Sequence, residues 1–179
     1  MSDETWAWDG SLEALLVLAQ TACQEGDFPA ALILPGRSGD ELFAASVRLD
    51  RDASAPDPKA AEAALDWLKA RQPRLAGAAY RAWMAEEDVE ADLLEVAADC
   101  GRRGDLALSD YTRPALSRLA ASVRRVTKEI HKLEGFARFS LRRDGTWVAL
   151  VEPVHNVLPA LAPYFLGRFG GEAFALCDP

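Results

Sequence analysis

Residues 114–152 read PALSRLAASVRRVTKEIHKLEGFARFSLRRDGTWVALVE, and the spacing of their apolar residues changes once along the way. Leu116, Leu119, Val123, Val126, Ile130 and Leu133 recur at three- and four-residue intervals, which draws one apolar stripe along a helix. Pro114 suits the first turn of that helix. Gly135 stands where a left-handed C-cap is wanted, so a helix over about 114–134 is expected. Beyond it the period shortens to two. Phe136–Arg143 and Thr146–Glu152 read as strands, joined by Asp144-Gly145 as a two-residue hairpin turn. In that register Arg142 pairs with Trp147. Ala137, Phe139, Leu141, Val148 and Leu150 then face the core, while Phe136, Arg138, Arg142, Trp147 and Val151 face the other way.

Downstream, Pro153 breaks the second strand, a short helix is expected over about 157–166, and residues 173–177 read as a closing strand. Upstream, Trp6-Ala7-Trp8 reads as a strand, and Asp9-Gly10-Ser11 turns and caps a helix reaching about Glu25. Residues 31–34 read as a short strand or turn, and 42–49 as a strand. Three helices follow, over about 59–70, from Pro73, and over about 89–100. Together these elements predict a single α+β domain over 1–179. Its mostly antiparallel sheet would combine the N-terminal strand, the 42–49 strand and the C-terminal hairpin. It would pack against the long amphipathic helix and several shorter ones.

The chain is 179 residues long and half hydrophobic, enough for one buried core. No apolar run reaches the length of a membrane span, and the acidic start lacks the basic residues of a signal peptide, so a cytoplasmic protein is expected. Cys23, Cys100 and Cys177 are odd in number and far apart, which argues against a disulfide framework or a zinc knuckle. The net charge of −8 is unevenly spread. Residues 1–110 carry 22 acids and 10 bases, whereas residues 111–179 carry 6 acids and 10 bases. An acidic helical half thus precedes a basic helix–hairpin–helix half. Such asymmetry marks a surface for phosphate or another acid, or a basic helix docked on the protein's own acidic half.

On the long helix Arg124, Lys128 and His131 share one side, and Arg118, Arg125 and Lys132 share the solvent side. Rows of cations can follow a phosphate backbone without reading a base sequence. The hairpin face adds Arg138 and Arg142 to the rings of Phe136 and Trp147, a combination suited to single-stranded or unstacked nucleic acid. Helices covering that face, with the arginines at its rim, would read equally well. His131 and His155, with Glu152, are the candidates for general acid–base chemistry, but no metal-binding, Walker, dinucleotide or nucleophile-elbow spacing is present, so neither metal nor cofactor is expected.

Three stretches carry a resemblance: Trp8–Leu16, Glu129–Phe139 and Val151–Phe169. They resemble a bacterial "probable DNA metabolism protein" family, a domain of unknown function. The resemblance implies partnership with a radical-SAM protein of DNA repair or modification, and some relatives are fused to a uracil-DNA-glycosylase-like domain. Carried over by position, the family's histidine motifs fall on His131 and His155. Gly135, Phe136, Arg138 and Phe139 follow the first, while Glu152, Asn156, Pro159, Pro163 and Arg168 surround the second. Val154 and Tyr164 depart from an acid and a histidine common in relatives, which weakens a metal or acid–base role.

The expectation is a nucleic-acid-associated accessory protein that meets single-stranded or damaged DNA through Arg124, Lys128, His131, Arg138, Arg142, Trp147 and Arg168. The alternatives are an enzyme acting on a nucleotide or DNA ester through His131, His155 and Glu152, and a module that meets only an acidic protein partner. No membrane is expected to be involved.

Overall fold

The structure is a computed structural model and describes residues 5–7, 9–26, 31–33, 49–51, 56–104 and 110–179. The elements are β1 (Thr5–Ala7), α1 (Leu12–Glu25), β2 (Ala31–Ile33), β3 (Leu49–Arg51), α2 (Pro58–Arg71), α3 (Pro73–Trp83), α4 (Glu90–Arg103), α5 (Pro114–Phe136), β4 (Ser140–Leu141), β5 (Trp147–Leu150), α6 (Leu158–Phe169) and β6 (Phe174–Cys177). The class is α+β, and helices dominate it. The chain divides into two compact units. One is Met1–Trp83 with Asp88–Ala120, and the other is Met84–Glu87 with Ala121–Pro179. The division falls inside α5, not at the change of charge near residue 110.

In the first unit β1 lies between β2 and β3 and runs parallel to both. Ser11 starts α1 by accepting the Ala14 N–H at 3.1 Å. Asp57 does the same for α2, accepting the Lys59 N–H at 3.3 Å just ahead of Pro58. Helix α1 packs against α2 and α4. Trp6, Leu15, Leu68, Leu75, Leu93 and Val96 are fully buried in this unit. Gly101 on α4 is required by close approach, because a Cβ there would collide with Cys23 Sγ and the Trp67 ring. None of the three cysteines forms a disulfide.

In the second unit β5 is central, antiparallel to β4 and parallel to β6. Its core holds Met84, Val126, Ala149, Val157, Leu161 and Phe165. Phe139 packs on the Phe165 and Phe169 rings, with centroids 4.9 and 4.7 Å away, and Phe174 stacks on Phe169 at 5.3 Å.

Three expectations are corrected. Among the described residues there is no single, mostly antiparallel sheet: the first three strands make a parallel sheet and the last three a mixed one. The reason is the intervening helices. Helices α1 and α6 return the chain to the end where β1 and β5 began, which makes β2 and β6 parallel to them. Of the expected 42–49 strand only Leu49 lies within the described residues, and the described strand continues to Arg51.

The hairpin register is one residue away from the expected one. Leu141 faces Trp147 and Ser140 faces Val148, with Gly145 at φ +86°. The Gly145 N–H donates to the Arg142 carbonyl at 3.1 Å and the Arg142 N–H to Thr146 O at 2.9 Å. This is a tight turn closed by a left-handed glycine, a three-residue loop that Asp-Gly serves as well as the two-residue turn. The slip exchanges the faces of β5, while Ala137 and Phe139 stay inward and Phe136 and Arg138 outward as expected. Trp147 is half-buried, Ala149 and Val151 are buried, and Leu141 and Leu150 are exposed. Helix α5 also runs past Gly135, which is not left-handed, because the Ala137 N–H still reaches the Leu133 carbonyl at 3.0 Å.

Candidate nucleic-acid interface

The second unit brings together most of the residues singled out above. Along α5 the four-residue step keeps Arg124 and Lys128 on one side, and both are exposed. Among the described residues neither makes an ion pair, and the same holds for exposed Lys132, Arg138, Arg142, Arg143 and Arg168. Arg168 sits in the last turn of α6, where a cation also meets the negative end of the helix dipole. The solvent side of α5 differs from its expected role. Arg118 and Arg125 are exposed but occupied, Arg118 by Asp92 in the first unit and Arg125 by Glu87 in the second. That pairing holds the Glu87 carboxyl below the usual carboxylate range.

The acids of residues 121–179 are largely spent on internal donors. Glu129 receives the backbone N–H of Val154 at 2.6 Å and of His155 at 3.0 Å, one on each oxygen. Two N–H donors on one carboxylate make a strong, oriented clamp. It joins the helix bearing His131 to the turn bearing His155, the two stretches that carried the resemblance. Asp144 accepts the Thr146 N–H at 2.9 Å inside the hairpin, which is the main reason its carboxyl titrates low. Glu172 accepts the Trp147 indole N–H at 2.5 Å. Glu134 lies 3.5 Å from the His131 ring.

The two histidines occupy opposite environments. The His131 side chain is 90% exposed. His155 is buried, and its Nδ1 accepts the Glu86 N–H at 3.3 Å, which puts the ring proton on Nε2. The neighbouring Asn156 N–H donates to Met84 O at 2.9 Å. His155 therefore helps hold the 84–87 turn in place. Glu152 is exposed. Among the described residues no three His, Cys, Asp or Glu side chains gather so as to hold a metal ion.

Trp147 is not beside the arginines of its hairpin. The corrected register turns it toward Phe139, and its ring lies 6.0 Å from that of Phe169. The exposed ring is Phe136, at 67% exposure on the last residue of α5, and Arg138 Nη1 donates to its carbonyl at 3.4 Å. The Glu129 clamp and the occupied Arg125 were not read from the sequence. Glu129 did stand in the first signature stretch, which was its only signal.

These elements define an α+β protein whose C-terminal unit carries an exposed set of unpaired cations. Among the described residues no helix is long and apolar enough to cross a membrane. A known family description, "Domain of unknown function (DUF4130)", matches residues 87–179. The chain belongs to the DUF4130 family. Neither the curated proteins nor the solved structures offer a match.

Proposed function

We propose that this chain is a nucleic-acid-associated accessory protein in DNA metabolism or repair, binding single-stranded or damaged DNA and acting beside a radical-SAM partner. One observation carries the DNA half of this reading: Arg124, Lys128, Lys132, Arg138, Arg142, Arg143 and Arg168 of the second unit are exposed and make no ion pair among the described residues, while Glu129, Asp144 and Glu172 are bound to internal donors. Such a surface supplies positive charge that folding does not consume. Arg124, Lys128 and His131 on α5, Arg138 and Arg142 on the hairpin, and Arg168 on α6 are the groups offered to phosphate. Phe136 offers an open ring for stacking. Trp147 supports the hairpin from its inner side and contributes an edge rather than a free face. The partner half rests on the resemblance of Trp8–Leu16, Glu129–Phe139 and Val151–Phe169 alone.

The enzymatic reading through His131, His155 and Glu152 has less support. The imidazole of His155 is buried and its Nδ1 already serves the fold. A general base needs a lone pair within reach of substrate.

The test is fluorescence anisotropy with a labelled single-stranded oligonucleotide at two salt concentrations. Six phosphate contacts on a single strand give a slope of log K against log salt of about −4. Arg138→Glu with Arg142→Glu should abolish most of the affinity while the protein stays folded. Unchanged affinity in that variant would remove the hairpin from the interface. No salt-dependent binding at all, together with salt-sensitive capture of an acidic protein partner, would favour a protein-interaction module.

A further inference from the structure

The first unit holds a cavity of about 560 Å3 that takes no part in the proposal above. Among the described residues its walls come from two segments. One follows β1 and contributes Leu12, Glu13 and Leu16; the other follows β3 and contributes Ala61, Glu62 and Leu65. The cavity therefore lies between the first turns of α1 and α2, on the carboxyl side of two neighbouring parallel strands. The order β2-β1-β3 places the second strand on one side of the first and the third strand on the other. In open parallel sheets, ligands settle beyond the carboxyl ends of the strands where the strand order reverses in this way. The volume falls in the range of small-molecule pockets, about 300–1,000 Å3.

The chemistry of the walls selects the ligand. The three leucines make an apolar floor. Two glutamates stand at the rim. Both Glu13 and Glu62 are exposed, and among the described residues neither makes a hydrogen bond or ion pair. The N-terminus of α1 is already partly capped: Ser11 Oγ accepts the Ala14 N–H, and Asp9 accepts both the Ser11 N–H at 2.8 Å and its hydroxyl at 2.6 Å. Among the described residues no lysine or arginine lines the cavity. A phosphate or carboxylate would be repelled by the carboxylates. A cation would find two unpaired partners.

We propose that this cavity binds a small organic cation: an amine whose apolar ring or chain fills the space between Leu12, Leu16 and Leu65 while its ammonium meets Glu13 and Glu62. This site stands on observations in the first unit and is independent of the cationic surface of the second.

The experiment uses the full chain with labelled leucine methyls and two probes of one shape, tryptamine and indole-3-propionate. Tryptamine should shift the methyls of Leu12, Leu16 and Leu65 saturably, and the anion should not. Glu13→Gln with Glu62→Gln should weaken tryptamine by about tenfold, since both partners of its ammonium are lost. Should that double variant fail to fold, Ala61→Phe supplies the second test: its ring takes up part of the cavity wall beside Leu65, and tryptamine shifts should weaken in a folded protein. Equal binding of cation and anion, absence of saturable shifts at the three leucines, or undiminished tryptamine binding in Ala61→Phe would each overturn the proposal.

Discussion

The arginines around the buried acids of the first unit contrast with those of the second, although Arg71, Arg74 and Arg81 of the first unit are also exposed without an ion pair among the described residues. In the first unit Arg103 and Arg113 converge on Asp99, Arg113 also reaches Glu95 at 2.6 Å, and Arg118 grips Asp92 through two bonds at 2.8 and 2.5 Å. Asp92 and Asp99 are buried, so each needs a cation to offset its lost hydration. In the second unit Arg125 alone has such a partner, and Arg124, Arg138, Arg142, Arg143 and Arg168 point into water with no ion pair among the described residues. The same residue type holds one unit together and leaves the other open for an outside anion. Charge in the first unit should therefore govern stability, and charge in the second should govern binding.

The sharpest way to break this comparison is Asp99→Ala. It strands the guanidinium groups of Arg103 and Arg113 beside a buried gap. Both arginines are partly exposed and can turn to water, so the cost is set at about 2–4 kcal/mol, below the extreme for a broken buried pair. Urea denaturation of this variant should show that loss, whereas Arg138→Glu with Arg142→Glu should stay within about 0.5 kcal/mol of the parent. If the two variants lost similar stability, the contrast between the units would be wrong.

Gly101→Ala asks whether charge or packing dominates the first unit. The new methyl would enter the contact among α1, α2 and α4, against Cys23 and Trp67. Overpacking of this kind costs about 1–3 kcal/mol. A thermal midpoint equal to or above that of the parent would mean that the three helices are not packed so closely.

Glu129→Ala tests one of the places where the second unit spends charge on itself. Loss of the clamp frees the Val154 and His155 N–H groups. Val154 is exposed and can find water, so about 1–2 kcal/mol is expected. Amide exchange at these two positions should accelerate more than elsewhere in the unit. Uniform acceleration would show that Glu129 acts through the whole fold rather than through this turn.

What was legible in the sequence was whatever a short window decides. The stripe from Leu116 to Leu133 placed α5, and Ser11, Pro73 and Pro114 marked helix starts. Relations between distant segments were not legible. Parallel pairing of β5 with β6 depends on the path of α6, not on either strand. The hairpin register turned on Asp144-Gly145, which fits two loop lengths. Burial of Trp147 against Phe169 goes with the longer one. The partners of Arg118 and Arg125 lie 26 and 38 residues upstream, beyond any helical spacing. His155 looked like a chemical group because its two bonds, one accepted by Nδ1 from the Glu86 N–H and one donated by its backbone N–H to Glu129, leave no mark in composition.

The smallest effect sharpens the exception in the second unit, the Arg125–Glu87 pair. The guanidinium lowers the Glu87 titration point in the folded chain. A carboxyl whose folded value is depressed contributes stability above its unfolded value and loses it as pH falls through the folded one. The stability gap between the parent and Arg125→Gln should therefore be constant near neutral pH and close as acid protonates Glu87. Both groups are more than a third exposed, so the gap itself should be slight. Carboxyl NMR gives the direct measurement: the Glu87 midpoint should lie below that of an ordinary glutamate in the parent and move upward in Arg125→Gln. A midpoint that ignores the substitution would mean Arg125 is as unpaired in solution as Arg124. The second unit would then present one more exposed cation than the structure counts.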